Sequence, residues 1–440
     1  MARKRKIVPL AVFMNGQRVG TFTKASTGAV DFKYDAAWLA WENAIPVSLS
    51  LPLREDRFIG EPVSNVFDNL LPDNDKIRRR LAERIGAAGT DAYSLLAAIG
   101  RDCVGALQFL PEGLDPGPAG WIESRPVDAA EIANIIDNLS RNPLGISGDE
   151  AFRISIAGAQ EKTALLYHDG GWHIPLGTTA TTHILKPQLG RLPNGIDMTH
   201  SVENEHFCMT LLGNLGLPVA KTEIANFEGR HVLVVERFDR LWARDGRLLR
   251  LPQEDCCQAL SVPPTHKYQN EGGPGIQDLG ELMKGSDDPS GDRKLLFKAQ
   301  LAFWLLAATD GHAKNFSVRL NPGGRFRMTP LYDVMSAQPA FDARQIRKNQ
   351  LKLAMCLGDN RHYTVDKILP RHFQQTADSS GLPAGELTEL LAHMSDNLPH
   401  ALDQTIDAMP DGFPEQLAHS IRDGAIARRS KIKAHLETQI

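Results

Sequence analysis

The sequence predicts an α+β protein in which a strand-rich part is followed by a helical part. Short apolar runs of strand length recur up to about residue 250, and helical spacing dominates beyond Leu251. At 440 residues the chain is long enough for two or three domains with well-buried cores. We expect an α/β subdomain over residues 1–140, a strand-rich core over 141–250 and a helical lobe over 251–440.

The N-terminal end of the chain is expected to form a β-hairpin. Asn15-Gly16 separates Ala11–Met14 from Arg18–Phe22, and Asn-Gly is a pair that type I′ turns prefer. The basic start followed by apolar residues imitates a signal peptide, but the apolar run breaks at Asn15-Gly16 without a small-residue cleavage site. We therefore favour the hairpin. Further along, the patterns predict a strand over Val47–Leu53 and a helix over Asn65–Leu71.

The core region predicts a strand, a helix and a further strand in succession. Apolar runs of strand length lie at Ala164–Tyr167, His183–Lys186 and Val232–Val235. Between the last two, Val202–Leu212 has helical spacing, and Gly213 directly after it is a natural helix stop.

Composition and cysteine usage exclude several classes of protein. A formal net charge of −4 excludes a polycation built for non-specific nucleic-acid binding. The 5 cysteines include no C-x-x-C pair, which argues against both a disulfide framework and a zinc site. No stretch approaches the roughly 18 unbroken apolar residues that a membrane span requires. We therefore expect a cytoplasmic protein that does not cross a membrane.

The strongest functional signal is the segment Thr309-Asp310-Gly311-His312-Ala313-Lys314-Asn315, which follows a buried helix predicted over Leu295–Thr309. A protein kinase needs a carboxylate that orients and deprotonates the attacking hydroxyl, and an Asn on the same loop that binds Mg²⁺. Asp310 and Asn315 have the Asp-to-Asn spacing of the protein-kinase catalytic loop. Asp333 supplies a second carboxylate after an apolar pair, and Mg²⁺ usually takes only one or two protein carboxylates.

Upstream residues decide how the Asp310–Asn315 pair is interpreted. By itself the pair also fits a helix cap or a turn, the commonest roles of Asp and Asn on loops. Lys186, however, ends an apolar strand and precedes a helix that carries Glu203 and Glu205. Either glutamate could pair with the lysine, and we favour Glu205. The order strand Lys, helix Glu, catalytic Asp, Asn and metal-binding Asp is that of protein kinases.

Two further segments are candidates for nucleotide contacts. Ala157–Lys162 is rich in small residues and precedes a strand, and small residues let backbone N–H groups approach phosphate oxygens closely. A plain hairpin turn explains this segment equally well. Glu236–Phe238 follows a strand at the place where a kinase binds adenine through its backbone, and Phe238 could pack on the base. A strand end with a charged exit is the alternative interpretation.

Taken together, these motifs resemble the HipA family of bacterial kinase toxins. The resemblance runs nearly from end to end through Phe67–Asp73, Ile99–Ala106, Ile154–Thr163, Val235–Arg240, Arg250–Asp255, Ala308–Ser317 and Leu331–Asp333. It implies a two-lobed, protein-kinase-like α+β fold with a β-rich N-terminal lobe and an all-α C-terminal lobe. It also implies the toxin of a type II toxin–antitoxin system, which uses ATP to phosphorylate a cellular protein and so inhibits growth.

The resemblance implies roles for individual residues. Asp310 would be the catalytic base, Asn315 and Asp333 would bind Mg²⁺, and Ser155 would be an autophosphorylation site. The residues implied to bind ATP are Ala157, Gly158, Ala159, Gln160, Glu161, Lys162, Lys186, Glu236, Arg237, Phe238, His312, Lys314 and Tyr332.

The implied partners are a HipB-like antitoxin dimer, operator DNA reached mainly through the antitoxin, and a protein substrate of the aminoacyl-tRNA synthetase kind. Direct DNA contact after Pro370–Phe373, a region where a family member touches its operator, is in doubt here because residues 374–381 contain no Lys or Arg. A set of basic residues near the C-terminus is interpreted as a solvated helix face: Arg422, Arg428, Arg429, Lys431 and Lys433.

Two alternatives stay open from the residues themselves. The pattern D-G-H-x-x-N is closer to the loop of phosphoinositide kinases than to H-R-D, which leaves a small-molecule or lipid kinase as one alternative. A catalytically silent corepressor that acts with a DNA-binding partner is the other. The intact Lys186, Asp310, Asn315 and Asp333 argue against the silent protein.

Overall fold

The computed structural model of the chain describes residues 8–146, 154–158 and 160–438. The basic residues at positions 3–6 and Ala159 lie outside these described residues. Strands and helices are mixed throughout the N-terminal half, and helices dominate the C-terminal half, so the predicted α+β class is confirmed. Buried apolar side chains form two main clusters, one from Leu10 to Val234 and one from Val202 to Ile432.

The first sheet has the order β4-β3-β2-β1-β5, with every neighbouring pair antiparallel. Its strands are β1 (Leu10–Met14), β2 (Gln17–Lys24), β3 (Val30–Tyr34), β4 (Phe58–Ile59) and β5 (Leu107–Pro111). The predicted hairpin joins β1 to β2. Asn15 and Gly16 both have positive φ, at 45° and 78°, which is the backbone that a type I′ turn requires and that Asn and Gly tolerate best.

The predicted strand over Val47–Leu53 is wrong, because these residues form a turn closed by one isolated bridge between Ser48 and Leu51. Side chains satisfy the backbone N–H groups that a sheet would otherwise pair. The N–H of Val47 donates to the Tyr34 hydroxyl at 2.9 Å, and that of Leu49 donates to Glu254 at 2.8 Å. The alternation of apolar and polar residues that predicted a strand therefore reflects how these side chains pack around a turn.

Helices pack beside this sheet and lead to the second one. They are α1 (Ala36–Leu39), α2 (Glu61–Asp68), α3 (Asp75–Ile85), α4 (Ala92–Ile99) and α5 (Ala129–Asp137). The predicted helix over Asn65–Leu71 corresponds to α2, which begins earlier and ends before Asn69. The chain then passes through Pro72, which forms a bridge with Gly158.

The second sheet has six strands in the order β12-β13-β9-β7-β8-β6. They are β6 (Ser124–Val127), β7 (Thr163–His168), β8 (Gly171–Pro175), β9 (His183–Pro187), β12 (Thr222–Phe227) and β13 (Arg230–Glu236), with the short pair β10 (Gly190–Arg191) and β11 (Asp197–Met198) outside it. The helix α6 (Ser201–Asn214) lies between β9 and β12 in the chain, so the predicted strand–helix–strand order is confirmed. Gly213 lies inside α6, and the chain turns at Gly216, where φ is 75°.

The C-terminal part is mainly helical, with α9 at its centre. Its helices are α7 (Cys256–Ala259), α8 (Ile276–Met283), α9 (Pro289–Leu306), α10 (Gln338–Asp342), α11 (Pro370–Ser380), α12 (Ala384–Asp407) and α13 (Glu415–Glu437). The helix predicted over Leu295–Thr309 begins earlier, at Pro289, and ends at Leu306 because Ala307 adopts a left-handed backbone with φ of 51°.

The expectation of an all-α C-terminal lobe needs a correction, because short strands hold the predicted catalytic loop. After the hairpin β14 (Arg240–Trp242) and β15 (Leu248–Arg250), a three-stranded sheet forms from β16 (Gln253–Asp255), β17 (Ser317–Leu320) and β18 (Phe326–Met328), and β19 (Lys352–Leu357) pairs with β20 (His362–Thr364). Most of these strands have only three or four residues, too few for a sequence period to reveal them.

Within the described residues, no helix combines the length and apolar character needed to cross a lipid bilayer. The cysteines all fall in the described part of the chain, and each is a buried free thiol.

The basic residues of α13 do not share one solvated face, since Arg428 is buried and donates to the carbonyl of Leu305 at 2.8 Å.

Glu254 on β16 generates a prediction about stability and pH. Its side chain is fully buried, and burial raises its pKa to about 8, with no cation beside it to oppose the shift. Between about pH 4.5 and 8 the folded protein therefore holds a proton that the unfolded chain has lost, and stability falls as the pH rises through this window. We expect a slope of about 1 kcal/mol per pH unit from this group, to be measured by urea unfolding.

Glu254→Gln is the matched variant for this measurement. It keeps the shape and the acceptor for the Leu49 N–H but cannot ionise, so it should abolish this part of the pH dependence and stabilise the protein most at alkaline pH. An unchanged slope in the variant would mean that Glu254 is ionised in the folded state.

Candidate active site

The six-stranded sheet and the loops after α9 enclose a cleft of about 360 Å³. Most of the predicted site residues line it, although they are drawn from segments far apart in the chain. Those that line it are Ala157, Gly158, Gln160, Lys162, Lys186, Glu236, Arg237, Phe238, Asp310, His312, Lys314, Asn315, Tyr332 and Asp333. Glu161 and Ser155 do not, and Ala159 lies outside the described residues.

Lys186 on β9 lies at the centre of the cleft and joins α6 to the segment after Leu331. Its ammonium contacts Glu205 at 2.8 Å and Asp333 at 2.6 Å. Of the two glutamates considered from the sequence, Glu205 is thus the partner, whereas Glu203 accepts from Gln188 at 2.7 Å. α6 therefore fixes the position of the lysine, as the order of residues suggested.

The charges around Lys186 depend on one another. Burial by itself would lower the pKa of Lys186, but the carboxylates of Asp333 and Glu205 outweigh it and raise that pKa. Burial raises the pKa of Glu205 to about 6 against the opposing effect of Lys186. Asp333 resists the same burial because Lys186 and Lys162 hold its pKa well below the usual range. Asp333 is therefore an anion at neutral pH.

The loop from Asp310 to Asn315 presents one carboxylate and one amide to the cleft. The Asp310 side chain is 59% exposed and accepts a hydrogen bond from the Tyr268 hydroxyl. The Asn315 amide donates weakly to the carbonyl of Asp333 at 3.4 Å. Its Oδ1 is buried and has no hydrogen-bond partner among the described residues. A buried oxygen is usually paired, so this atom is a candidate contact for a ligand or a metal ion.

His312 shapes this loop as a neutral side chain. Burial, reinforced by the nearby ammonium of Lys267, lowers the pKa of His312 to about 3. Burial raises the pKa of Asp310, and the hydrogen bond from Tyr268 opposes this shift. The Asp310 side chain is exposed whereas His312 is buried, so Asp310 is the group that an acceptor can reach.

Asp73, from the N-terminal region, belongs to the site although the sequence did not single it out. Its carboxylate contacts Lys314 at 2.7 Å and Lys267 at 2.9 Å, and its backbone N–H donates to the carbonyl of Gly158 at 3.1 Å. Burial opposes ionisation, yet the two lysines lower the pKa of Asp73 to about 2. The only sequence signal for this role was its place at the end of Phe67–Asp73, one of the segments that carry the family resemblance.

The small-residue segment curls over Lys162. Gly158 has φ of 110°, and a Cβ atom at that position would lie 2.6 Å from the Lys162 ammonium. Lys162 donates to the carbonyl of Ala157 at 2.8 Å. Burial, with Lys186 close by, lowers the pKa of Lys162 to about 8, so an anion would be a better partner for this ammonium than the carbonyl.

Two residues expected to bind ATP have their side chains engaged elsewhere. The Glu161 side chain pairs with Arg80 at 2.9 Å and does not line the cleft. The Arg237 guanidinium is buried and pairs with Asp239 at 2.7 Å. The backbone N–H of Arg237 also donates to the carbonyl of Thr182 at 2.9 Å, and the nucleotide contacts expected of both residues stay predictions.

The far end of the cleft, where β13 ends, is apolar. Phe238 packs near Tyr332 with ring centroids 5.8 Å apart. Ile184, Val235 and Met335 add aliphatic surface beside them. An apolar slot flanked by the backbone of a strand end suits a flat heterocycle that needs both stacking and hydrogen bonds.

Ser155 lies beneath the small-residue segment and is fully buried. Its hydroxyl donates to the carbonyl of Leu70 at 2.7 Å, and its N–H donates to the carbonyl of Asp102 at 2.9 Å. In this conformation the hydroxyl is accessible neither to Asp310 nor to another protein.

The oxygen donors of the cleft fit Mg²⁺ together with a phosphorylated ligand. The described residues contain no cluster of three His, Cys, Asp or Glu side chains arranged as a metal cage. Mg²⁺ does not need one, since it usually takes one or two carboxylates with phosphate and water completing its shell. The Asp333 carboxylate and the unpaired Oδ1 of Asn315 supply such donors side by side.

Two protein-family models match the chain, the HipA N-terminal domain over residues 10–110 and the HipA-like C-terminal domain over residues 154–402. A putative kinase, Y4mE of Sinorhizobium fredii, is 35% identical over 427 residues, which is 96% of this chain and 98% of that protein. The serine/threonine-protein kinase toxin HipA of Shewanella oneidensis is 30% identical, covering 88% of this chain and 86% of the toxin.

A solved structure extends the similarity to the fold. It is the complex of Shewanella oneidensis HipA and HipB with operator DNA, and the matched chain superposes with a TM-score of 0.81 at 26% identity. The match covers 97% of this chain and 99% of the other. The two-lobed α+β architecture is therefore shared over the whole length.

Asp73→Asn tests whether the N-terminal region holds the site together. The change leaves the buried Lys314 ammonium without its closest counter-charge, and we expect the free energy of unfolding to fall by about 3–5 kcal/mol in urea denaturation. Asp56→Asn, at an exposed position in the same region, should leave the midpoint unchanged. A wild-type midpoint for Asp73→Asn would show that Asp255 and the Asn69 carbonyl suffice for Lys314.

Proposed function

Because this chain belongs to the HipA family of serine/threonine-protein kinases, we propose that its cleft transfers the γ-phosphoryl group of ATP to a serine hydroxyl of a protein. The observation that carries the proposal is the meeting of Lys186, Glu205, Asp310, Asn315 and Asp333 in one cleft. These residues come from a strand, a helix and two loops, and they correspond in type and order to the working parts of a protein kinase.

Asp310 would act on the acceptor. Its exposed carboxylate can accept a hydrogen bond from an incoming serine hydroxyl, orient the oxygen toward the γ-phosphorus and receive the proton as the new O–P bond forms. The bond from the γ-phosphorus to the bridging oxygen breaks, and ADP leaves with the electron pair. The products are phosphoserine and ADP.

Lys186 and Lys162 would bind the phosphates of ATP. Glu205 holds the Lys186 ammonium in position, and Lys162 can exchange the Ala157 carbonyl for a phosphate oxygen without moving its chain. Asn315 and Asp333 would hold Mg²⁺, which neutralises charge on the phosphates when bound. The backbone of Gly158 would also approach the phosphates closely. Glycine suits this position because a φ of 110° disfavours residues with a side chain.

The adenine ring would bind at the apolar end of the cleft. Phe238 and Tyr332 offer aromatic surface where β13 ends. The N–H groups of Glu236 and Arg237 already donate to the carbonyls of Lys221 and Thr182, so hydrogen bonds to adenine would come from other backbone groups of this strand end.

We propose that the chain is the toxin of a type II toxin–antitoxin system and acts in the cytoplasm, where its free thiols stay reduced. Support comes from the matched structure, in which HipA is bound to HipB and operator DNA. A HipB-like antitoxin dimer would be the partner and would carry most of the DNA contacts, with this chain as corepressor. An aminoacyl-tRNA synthetase is the proposed class of protein substrate.

Ser155 would be the autophosphorylation site and an off switch. Its hydroxyl is buried against Leu70, so phosphorylation requires the segment around Gly158 to leave the cleft first. A phosphoserine carries about −1.5 to −2 charges and cannot return to a buried site built for a hydroxyl. The small-residue segment would then stay away from the phosphates, and ATP binding would be lost.

The activity is tested with the purified protein and Mg-ATP, followed by phosphopeptide mapping. We expect phosphate on Ser155 and on serines of added protein. Asp310→Asn, which keeps the shape but cannot take the proton, should lower the transfer rate by about 100-fold or more. ATP affinity should be unchanged in this variant, since Asp310 faces the acceptor. ATP binding without transfer in the wild type would favour the catalytically silent corepressor.

The off switch is tested by ATP titration of Ser155→Glu against Ser155→Ala. The glutamate places a charge where the hydroxyl is buried, so we expect it to force the segment out and weaken ATP binding by at least about tenfold. The alanine keeps the segment buried and should bind ATP as the wild type does. Equal affinity in the two variants would refute the switch.

A further inference from the structure

The short segment from Pro263 to Gly275 enters the cleft and brings the Tyr268 side chain onto Asp310. The Tyr268 hydroxyl donates to Oδ1 of Asp310, and the ring lies edge-on to His312 with centroids 4.9 Å apart. The sequence did not single out this residue. The sequence does not indicate this contact, because a lone tyrosine 42 residues before Asp310 matches no recognised pattern.

Several contacts on both sides of Tyr268 fix its position. Lys267 is bound to Asp73 at 2.9 Å, and Gln269 accepts from the N–H of Cys356 at 2.7 Å. The N–H groups of Glu271 and Gly273 both donate to the carbonyl of Tyr268, at 3.0 and 2.9 Å. A Cβ on Gly273 would lie 1.9 Å from the carbonyl oxygen of His266, so this tight turn requires glycine. The chain is therefore built to hold the phenol where it is.

Asp310 is distinct among the carboxylates of the cleft. Among the described residues that line it, each of the others contacts a lysine or arginine: Asp73, Glu205, Glu236, Asp239, Asp255 and Asp333. The close partner of Asp310 is instead a hydroxyl, next to a histidine that is neutral. A hydroxyl on an otherwise uncompensated carboxylate is the arrangement expected of a phosphoryl acceptor.

We propose that the Tyr268 hydroxyl occupies the acceptor subsite on Asp310, so that an incoming protein serine must displace it before transfer. The inference rests on the proposed role of Asp310 as the base. Tyr268 then has two effects. It occupies Oδ1 of the partly exposed Asp310 carboxylate when no protein is bound, so a water molecule cannot take the acceptor position there, which limits wasteful hydrolysis of ATP. It also competes with weakly bound acceptors, so that only a substrate with further contacts to the protein gains access.

The test uses Tyr268→Phe, which removes the hydroxyl and keeps the ring on His312. ADP release from Mg-ATP is measured without acceptor, and transfer to dephosphorylated casein is measured as a function of casein concentration. We expect ADP release to rise about tenfold because Oδ1 of Asp310 becomes free to accept a hydrogen bond from water at the acceptor position, and the KM for casein to fall by a similar factor. The KM for ATP should not change, and neither should the thermal midpoint.

Tyr167→Phe is the matched control, since it removes the hydroxyl of an exposed tyrosine on β7 that does not line the cleft. Tyr268→Phe combined with Asp310→Asn should lose the added ADP release, because the gain acts through Asp310. A fall in both rates for Tyr268→Phe would overturn the inference and make Tyr268 a positioning residue. Phosphotyrosine at position 268 in the wild type would overturn it too. Full activity of Asp310→Asn alone would instead refute the proposed function.

Discussion

The carboxylate of Asp73 is the contact on which the geometry of the cleft depends. A buried ammonium is tolerated only beside a counter-charge, and the single negative charge of Asp73 is shared by Lys314 on the catalytic loop and Lys267 beside Tyr268. Its backbone also binds Gly158. One residue of the N-terminal region thus sets the distance between the phosphate-facing segment, the catalytic loop and the segment that covers it. The N-terminal 110 residues are part of the active site rather than an appendage to it.

A second buried network, around Asp102, fixes the adenine end of the cleft in the same manner. Arg237, Arg240 and Arg250 converge on this carboxylate, and they hold its pKa well below the usual range in spite of burial. The carbonyl of Asp102 also accepts the N–H of Ser155. Asp102 therefore ties the position of Ser155, the proposed regulatory serine, to the strand end where adenine would bind. Neither Ser155 nor Asp102 lines the cleft itself.

Charge pairing also separates the phosphate-binding side of the cleft from the side that would bind the acceptor hydroxyl. Carboxylates paired with lysines hold position and charge on the phosphate side, where Lys186 lies between Glu205 and Asp333. Asp310, which is more than half exposed and accepts a hydrogen bond from the Tyr268 hydroxyl, can exchange its partner at little cost. A kinase needs rigid carboxylates to hold the phosphate side and an exchangeable carboxylate to meet the acceptor. The first kind is buried and paired here, and the second is exposed.

The sequence by itself determined the elements whose signals are local. The Asn15-Gly16 turn, the strands around Lys186 and the spacing of Asp310 and Asn315 depend on the preferences of neighbouring residues, so the chain alone revealed them. Only the tertiary structure decided which glutamate pairs with Lys186 and that the side chains of Glu161 and Arg237 pair with Arg80 and Asp239. It also decided that Asp73 lines the cleft and that Tyr268 contacts Asp310. These outcomes depend on where distant segments meet and which charges must be paired after burial, and no local pattern records either.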